Sequence, residues 1–201
     1  MEDILFLVQK GADDFQEGLL GESESCHPRI QVIEYFLSKG ADINLISNRR
    51  EACSQICSAL SINMDMIRFL VSKGADFNND KLRTTPFHTL LQNPSCTLEM
   101  VQYLVENGVD IKKEDSLRRN CIMSHLINEE PRREIIEFFV EKGIDVNKQS
   151  VGKADGKTCL HIALQRNLSN EMIQLFLDMG SNLSIASRQM GTVSFEPSYS
   201  F

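Results

Sequence analysis

The sequence predicts an all-α repeat solenoid of about five to six helix-turn-helix units with short hairpin fingers. Two observations carry that expectation. An apolar run that ends in glycine and an acidic turn recurs six times, as ILFLVQKGADD, VIEYFLSKGADIN, MIRFLVSKGADFN, MVQYLVENGVDIK, IIEFFVEKGIDVN and MIQLFLDMGSNLS. The glycines fall at Gly11, Gly40, Gly74, Gly108, Gly143 and Gly180, in steps of 29, 34, 34, 35 and 37 residues. A period of this size is the mark of a stacked array, in which each unit buries its apolar face only against its neighbours.

Within one unit, Met66-Ile67-Arg68-Phe69-Leu70-Val71-Ser72-Lys73 places apolar residues at helical spacing around more than one face. Such a helix is covered on both sides. Lys73 complements the negative helix end, and Gly74 follows where a left-handed residue is needed. Gly74 and Gly108 are therefore expected at positive φ. Asp76 and Asn78 supply turn chemistry beyond the glycine.

A shorter first helix belongs about eleven residues after each glycine. Thr85-Pro86-Phe87-His88-Thr89-Leu90 stands there, and Thr158-Cys159-Leu160-His161-Ile162-Ala163 follows a loop insertion of about four residues through Val151 to Lys157. These segments resemble the TPLHxA signature of the ankyrin repeat, in which Thr starts the helix, Pro fits its first turn and the His bonds locally, and the resemblance covers about residues 1–187. Glu51-Ala52-Cys53-Ser54-Gln55-Ile56 and Asn120-Cys121-Ile122-Met123-Ser124-His125 lack the Pro and the aligned His, so their helices are expected to be less regular.

The expected organisation is a partial N-terminal repeat and linker over 1–28, the array over 29–187 and a non-repeat tail over 188–201. Asp14 to Pro28 looks too short and polar for a full unit. The segment from Gly191 to Phe201 lacks helical period. Ends of this kind suggest descent from a longer array.

Composition narrows the function classes. Of 201 residues, 42% are hydrophobic and 24% charged, as in ordinary globular proteins. No stretch approaches the roughly 18 apolar residues of a membrane helix, and acids precede the short apolar run at the N-terminus, unlike a secretory signal. The formal charge of −7 argues against nucleic acid as a partner.

Cys26, Cys53, Cys57, Cys96, Cys121 and Cys159 contain no CxxC pair and are read as reduced thiols. Cys53 and Cys57 can share a helix face, but a zinc site needs two further ligands, so no metal is assigned. His88 and His161 serve helix starts, and His27 and His125 sit in no recognisable catalytic motif. Asp42, Asp76, Asp110 and Asp145 each belong to their own turn rather than to a calcium site. Met64, Met66, Met100 and Met172 are read as core. Neither catalytic residues nor a cofactor is expected.

Charge placement says more. The finger segments 45–50, 79–83, 112–119 and 148–157 carry +2, +1, +2 and +2, a basic total of +7 on a chain of −7. An edge of this sign steers an acidic partner surface. The candidate protein-binding residues are Arg49, Arg50, Lys81, Arg83, Lys112, Lys113, Arg118 and Arg119. The arginines lead because a guanidinium makes planar bidentate contacts, and all four are expected to be solvent-exposed.

The uneven repeat lengths, eroded TPLH segments and persistent GADIN-like turns resemble the ankyrin proteins of poxviruses. That resemblance implies a host-directed adaptor acting in the host cytoplasm, with the nucleus also open to it. Such proteins hold a host target on the array and often oppose innate signalling, including NF-κB activation. They commonly carry a C-terminal F-box-like segment that recruits a cullin ubiquitin ligase. This sequence shows no such segment, so ligase recruitment is doubtful. The alternative reading is a truncated array with little remaining activity.

Overall fold

The computed structural model describes residues 14–151, 156–187 and 191–192. The expected helix before Gly11, Lys153 in the fourth finger, and residues 188–190 and 193–201 of the expected tail lie outside them. The fold is all-α, as expected, with two very small antiparallel sheets among the described residues. The helices are α1 (Phe15–Ser23), α2 (Ile30–Ser38), α3 (Ala52–Ser58), α4 (Met64–Ser72), α5 (Pro86–Leu91), α6 (Leu98–Glu106), α7 (Cys121–His125), α8 (Arg133–Glu141), α9 (Cys159–Gln165) and α10 (Asn170–Asp178). Strands β1 (Ile46–Ser47) and β2 (Arg50–Glu51) form one hairpin, and β3 (Ala186–Ser187) pairs with β4 (Gly191–Thr192).

The chain divides into two compact bodies, Met1–Asp110 and Ile111–Phe201. In the first, α1 packs on α2 and on α3, α3 on α5, and α4 on α6. In the second, α7 packs on α8 and on α9, and α9 on α10. Leu19, Ile33, Ile56, Ile67, Leu90 and Val101 form part of the first core, and Ile122, Ile136, Phe139 and Phe176 part of the second. Each described helix has at most nine residues, too few to persist in water by propensity, so packing holds it.

The glycines end the helices by one repeated device. Gly40, Gly74, Gly108, Gly143 and Gly180 have φ of 97°, 75°, 92°, 84° and 83°. At Gly74 the glycine N–H donates to Val71 O at 3.0 Å, and the next N–H, of Ala75, reaches Leu70 O at 3.0 Å. This is the Schellman pair, which satisfies carbonyls that the helix leaves open. The other four ends repeat it, from Gly40–Leu37 and Ala41–Phe36 to Gly180–Leu177 and Ser181–Phe176. A Cβ on Gly74 would meet nothing within 4 Å, so backbone conformation alone demands glycine there.

Beyond each glycine lies an asparagine that links repeats. Asn44 Nδ2 donates to Gly74 O at 2.8 Å while its Oδ1 accepts the Asp76 N–H at 2.8 Å. Asn78 does the same toward Gly108 O and the Asp110 N–H, at 3.1 and 2.8 Å. Asn147 repeats it toward Gly180 O and the Asn182 N–H, at 2.9 and 2.7 Å. A side-chain amide can do this because it carries donor and acceptor together. A second set of bonds links the first helices of successive pairs: Asn93 Nδ2 donates to Cys57 O and Ala59 O, and Arg166 Nη1 to Leu126 O and Asn128 O.

Residues 14–28, expected to be too short and polar for a full unit, contain α1. Asp14 Oδ1 caps it by accepting the N–H groups of Gln16 and Glu17, both at 3.0 Å, and Leu19 and Leu20 are fully buried. Gly18 lets the Phe36 ring lie where a Cβ would stand 2.4 Å from it. The polar composition that hid the helix consists of its cap and its exposed face. At the other end, part of the expected non-repeat tail, Gly191–Thr192, forms β4, and β3 begins six residues after Gly180 as β1 does after Gly40.

The first helices follow their caps. Thr85 and Thr158 Oγ1 lie 2.8 Å from the Nδ1 atoms of His88 and His161, and Thr158 closes a capping box. Asn120 substitutes for Thr by accepting the Met123 N–H at 2.9 Å, and α7 runs only five residues. Glu51 makes no side-chain cap.

Replacing Asn78 with Ala removes both halves of one inter-repeat link. The expected loss is about 1–2 kcal/mol, read as a lower urea midpoint with an unchanged m-value; an unchanged midpoint would show that the link adds nothing to stability.

Candidate functional site

The fingers differ in architecture. The first is the β1–β2 hairpin, whose two connecting residues, Asn48 and Arg49, have φ of 51° and 63°. This is the signature of a type I′ turn, in which both central residues are left-handed. The second, residues 79–83, forms no strand. Its first residue turns inward: Asn79 is 8% exposed and donates to Glu51 Oε1 at 2.5 Å. The third is a turn built on Asp115, whose Oδ1 accepts the N–H groups of Leu117 and Arg119, both at 2.9 Å. Arg118 N–H donates to Asp115 O at 2.9 Å, and Arg118 has φ of 54°. In the fourth, Ser150 and Lys157 pair through a backbone bond of 3.0 Å, and Val151 N–H reaches Leu117 O at 2.8 Å.

The eight candidate residues separate by environment. Arg49, Lys81, Arg83, Lys112 and Arg118 are exposed, and Lys113 is half-buried. The expectation that all four arginines are exposed fails at two of them. Arg50 bridges both ends of α1, with Nη2 at 2.6 Å from Glu17 Oε2 and Nη1 at 3.0 Å from Glu24 Oε1. Arg119 is held by Asp115 at 2.6 Å, with side-chain exposures of 15% and 0%. In the first and third fingers the second arginine of the pair is an anchor, because a carboxylate placed by the fold holds it.

Electrostatics follows these pairings. Hydrogen bonds from Arg50, then from Gln55, hold the Glu24 carboxyl below the usual range. Partial burial pushes the Glu114 carboxyl up, but hydrogen bonds from Lys148 and Arg118 outweigh it and leave the group lowered. Glu51 runs the other way. It is 1% exposed, and burial raises its pKa, with the bonds from Ser54 and Asn79 offsetting only part of the effect. Asp76 adds to the rise and Lys81 opposes it.

The remaining candidates take structural places. Cys53 and Cys57 are buried on one face of α3; the hydrogen bond between them and their burial push the Cys53 thiol well up. Burial raises Cys121 and Cys159 too, so neither is a ready nucleophile. Among the described residues, no three His, Cys, Asp or Glu side chains cluster to hold a metal ion. Asp42, Asp76 and Asp145 accept the N–H two residues on, at 2.8–2.9 Å, as turn residues do. His125 Nε2 accepts the Arg132 N–H at 2.8 Å. Met66 and Met100 are core, whereas Met64 and Met172 are half-buried.

Sequence reasoning missed the inter-repeat asparagines, Asp115 and Glu51. The first had a visible signal: asparagine recurs four residues after Gly40, Gly74 and Gly143. Glu51 had none, because an acid before a short helix looks like a solvated cap.

A family model described as ankyrin repeats in three copies matches residues 25–115 and again residues 98–187. Comparison with curated proteins finds no match. Ankyrin repeats mediate protein–protein interaction, and proteins built from them are typically not enzymes.

Two outcomes follow from the finger geometry. Glu51 has a folded-state pKa above its unfolded value, so its stabilisation is full below the unfolded pKa and is lost as pH rises through the folded one. Thermal melts of Glu51→Gln should match the parent in acid and exceed it increasingly toward neutral pH; a constant offset would place the effect elsewhere. Arg119→Ser strands the buried Asp115 carboxylate and should lower stability by about 2 kcal/mol or more in chemical denaturation, whereas Arg49→Ser should not.

Proposed function

We propose a function from one premise: the chain belongs to the ankyrin-repeat family. The protein is a docking module that binds another protein, with the hairpin fingers as a principal contact. The observation that carries this reading is the sign of the fingers. By sequence the finger segments carry +3 in the first body and +4 in the second, on a chain of −7, and Arg49, Lys81, Arg83 and Arg118 keep their side chains exposed within them. A basic finger on an acidic chain selects a partner with an acidic patch, by attraction at the finger and repulsion elsewhere.

The uneven steps between glycines and the eroded helix starts at Glu51 and Asn120 support a finer assignment. In it the partner is a host protein of innate signalling, the NF-κB pathway included, and the setting is the host cytoplasm during poxvirus infection. Both features distinguish the sequence from arrays of uniform repeats.

The test begins with affinity capture of a partner from infected-host-type cell lysate. Association kinetics with that partner are then compared for the parent and a variant in which Arg49, Lys81, Arg83 and Arg118 are Ser. Arg50 and Arg119 are spared because they anchor their own fingers. The variant should associate several-fold more slowly at low salt, and the gap should close as salt rises. Equal association rates at low salt would move the contact off the fingers.

A further inference from the structure

Among the described residues, four that are not glycine adopt positive φ: Asn48, Arg49, Arg118 and Asn167. The two asparagines suit the left-handed region, which their short polar side chains tolerate. The two arginines do not. Both lie at finger tips, and they reach the same conformation by different turns. Arg49, with φ of 63°, is the second central residue of a two-residue hairpin loop, where the favoured residue is glycine. Arg118, with φ of 54°, closes the loop after Asp115, Ser116 and Leu117, again at the left-handed position that glycine fills best. Elsewhere this chain does supply glycine where positive φ is required, at five helix ends.

In both fingers an anchored arginine follows the strained one. Arg50 is held by Glu17 and Glu24, and Arg119 by Asp115. The strained residue is left outward: Arg49 is exposed and forms no ion pair with another described residue, and Arg118 is 63% exposed beside Glu114 at 3.2 Å. The sequence Ser-X-Arg-Arg thus occurs twice, as Ser47-Asn48-Arg49-Arg50 and Ser116-Leu117-Arg118-Arg119, with one guanidinium turned to the fold and one to solvent. Local stability favours glycine at both tips, so a second requirement keeps arginine there.

We infer that Arg49 and Arg118 are the partner-reading residues of the fingers, each a guanidinium held at a strained tip to take a carboxylate from an acidic segment of a partner protein. This rests on the docking function proposed above and narrows it to two side chains and one ligand chemistry. Carboxylate is the class because the net charge of −7 repels an extended polyanion, while a short acidic segment meets only a single basic finger. Glu114 models the contact, since it already accepts Arg118 Nε.

The experiment uses the full chain and the single variants Arg49→Gly, Arg118→Gly, Arg49→Lys and Arg118→Lys. Each is melted thermally and titrated at low salt with a fluorescein-labelled glutamate-rich peptide, with inorganic polyphosphate as a second probe. Glycine should raise the melting midpoint by about 2 °C at either site and weaken peptide binding about threefold, the scale of one exposed charge pair. Lysine should keep the strain and most of the attraction but bind less well than arginine, lacking the bidentate fork. A midpoint that falls on Gly substitution would make these arginines structural and overturn the inference, as would unchanged or absent peptide binding. Tighter binding of polyphosphate than of peptide would overturn the carboxylate assignment. A captured protein that binds the Gly variants as well as the parent would leave the docking function standing and remove these two residues from it.

Discussion

Each helix pair in this protein is too small to bury its own apolar face, and everything else follows from the need to stack. The longest described helices have nine residues, yet Ile33, Ile67 and Ile136 at their centres are fully buried. That burial is supplied by neighbouring helices within each body. Stacking works only if successive pairs keep one register, which apolar contacts, being non-directional, do not fix. Hydrogen bonds do. Asn44, Asn78 and Asn147 each grip the backbone one repeat further on at both a carbonyl and an N–H. The carbonyl that each asparagine donates to belongs to a Schellman glycine, Gly74, Gly108 or Gly180. Asp110 is followed at the equivalent position by Lys112, which has no acceptor to offer, and Asn120 there takes the Asp145 carbonyl at 2.9 Å instead.

The fingers inherit their geometry from this scaffold and depart from one another where function or burial intrudes. Glu51 sits where aspartate, asparagine or threonine begins the other described first helices, and Asn79 of the second finger turns inward to donate to it. Asp115 organises the third finger as a knot of bonds around a buried carboxylate. Polar groups buried in this way are stabilising only while fully partnered, so each finger carries its own conditional stability. Basic charge was therefore an incomplete guide to contact residues. An arginine in a finger is either anchored to the fold or left exposed, and the carboxylates nearby decide which.

Much of the fold was legible in sequence because glycine, lysine and the acidic turn mark helix ends by local chemistry. The TPLH segments were equally plain, since the Thr–His bond needs only adjacent residues. The helix Phe15–Ser23 was not legible: its apolar content is concentrated in Leu19 and Leu20, and its partner Phe36 is supplied from another helix. The separation of Arg49 from Arg50 was likewise hidden, because it depends on Glu17 and Glu24, 26 or more residues away. Charge signs are local, whereas the choice between anchor and exposed contact is made across repeats.

The most direct measurement of the stacking principle is native-state hydrogen exchange across a urea series, followed amide by amide in residues 14–110. If neighbours rather than propensity hold the helices, amides of α4 and α6 and the Asp76 and Asp110 N–H groups will open together, with one free energy and one urea dependence. Separate openings of α4 and α6, each with its own free energy and little urea dependence, would show that the helices stand alone and that the asparagine links do not couple them.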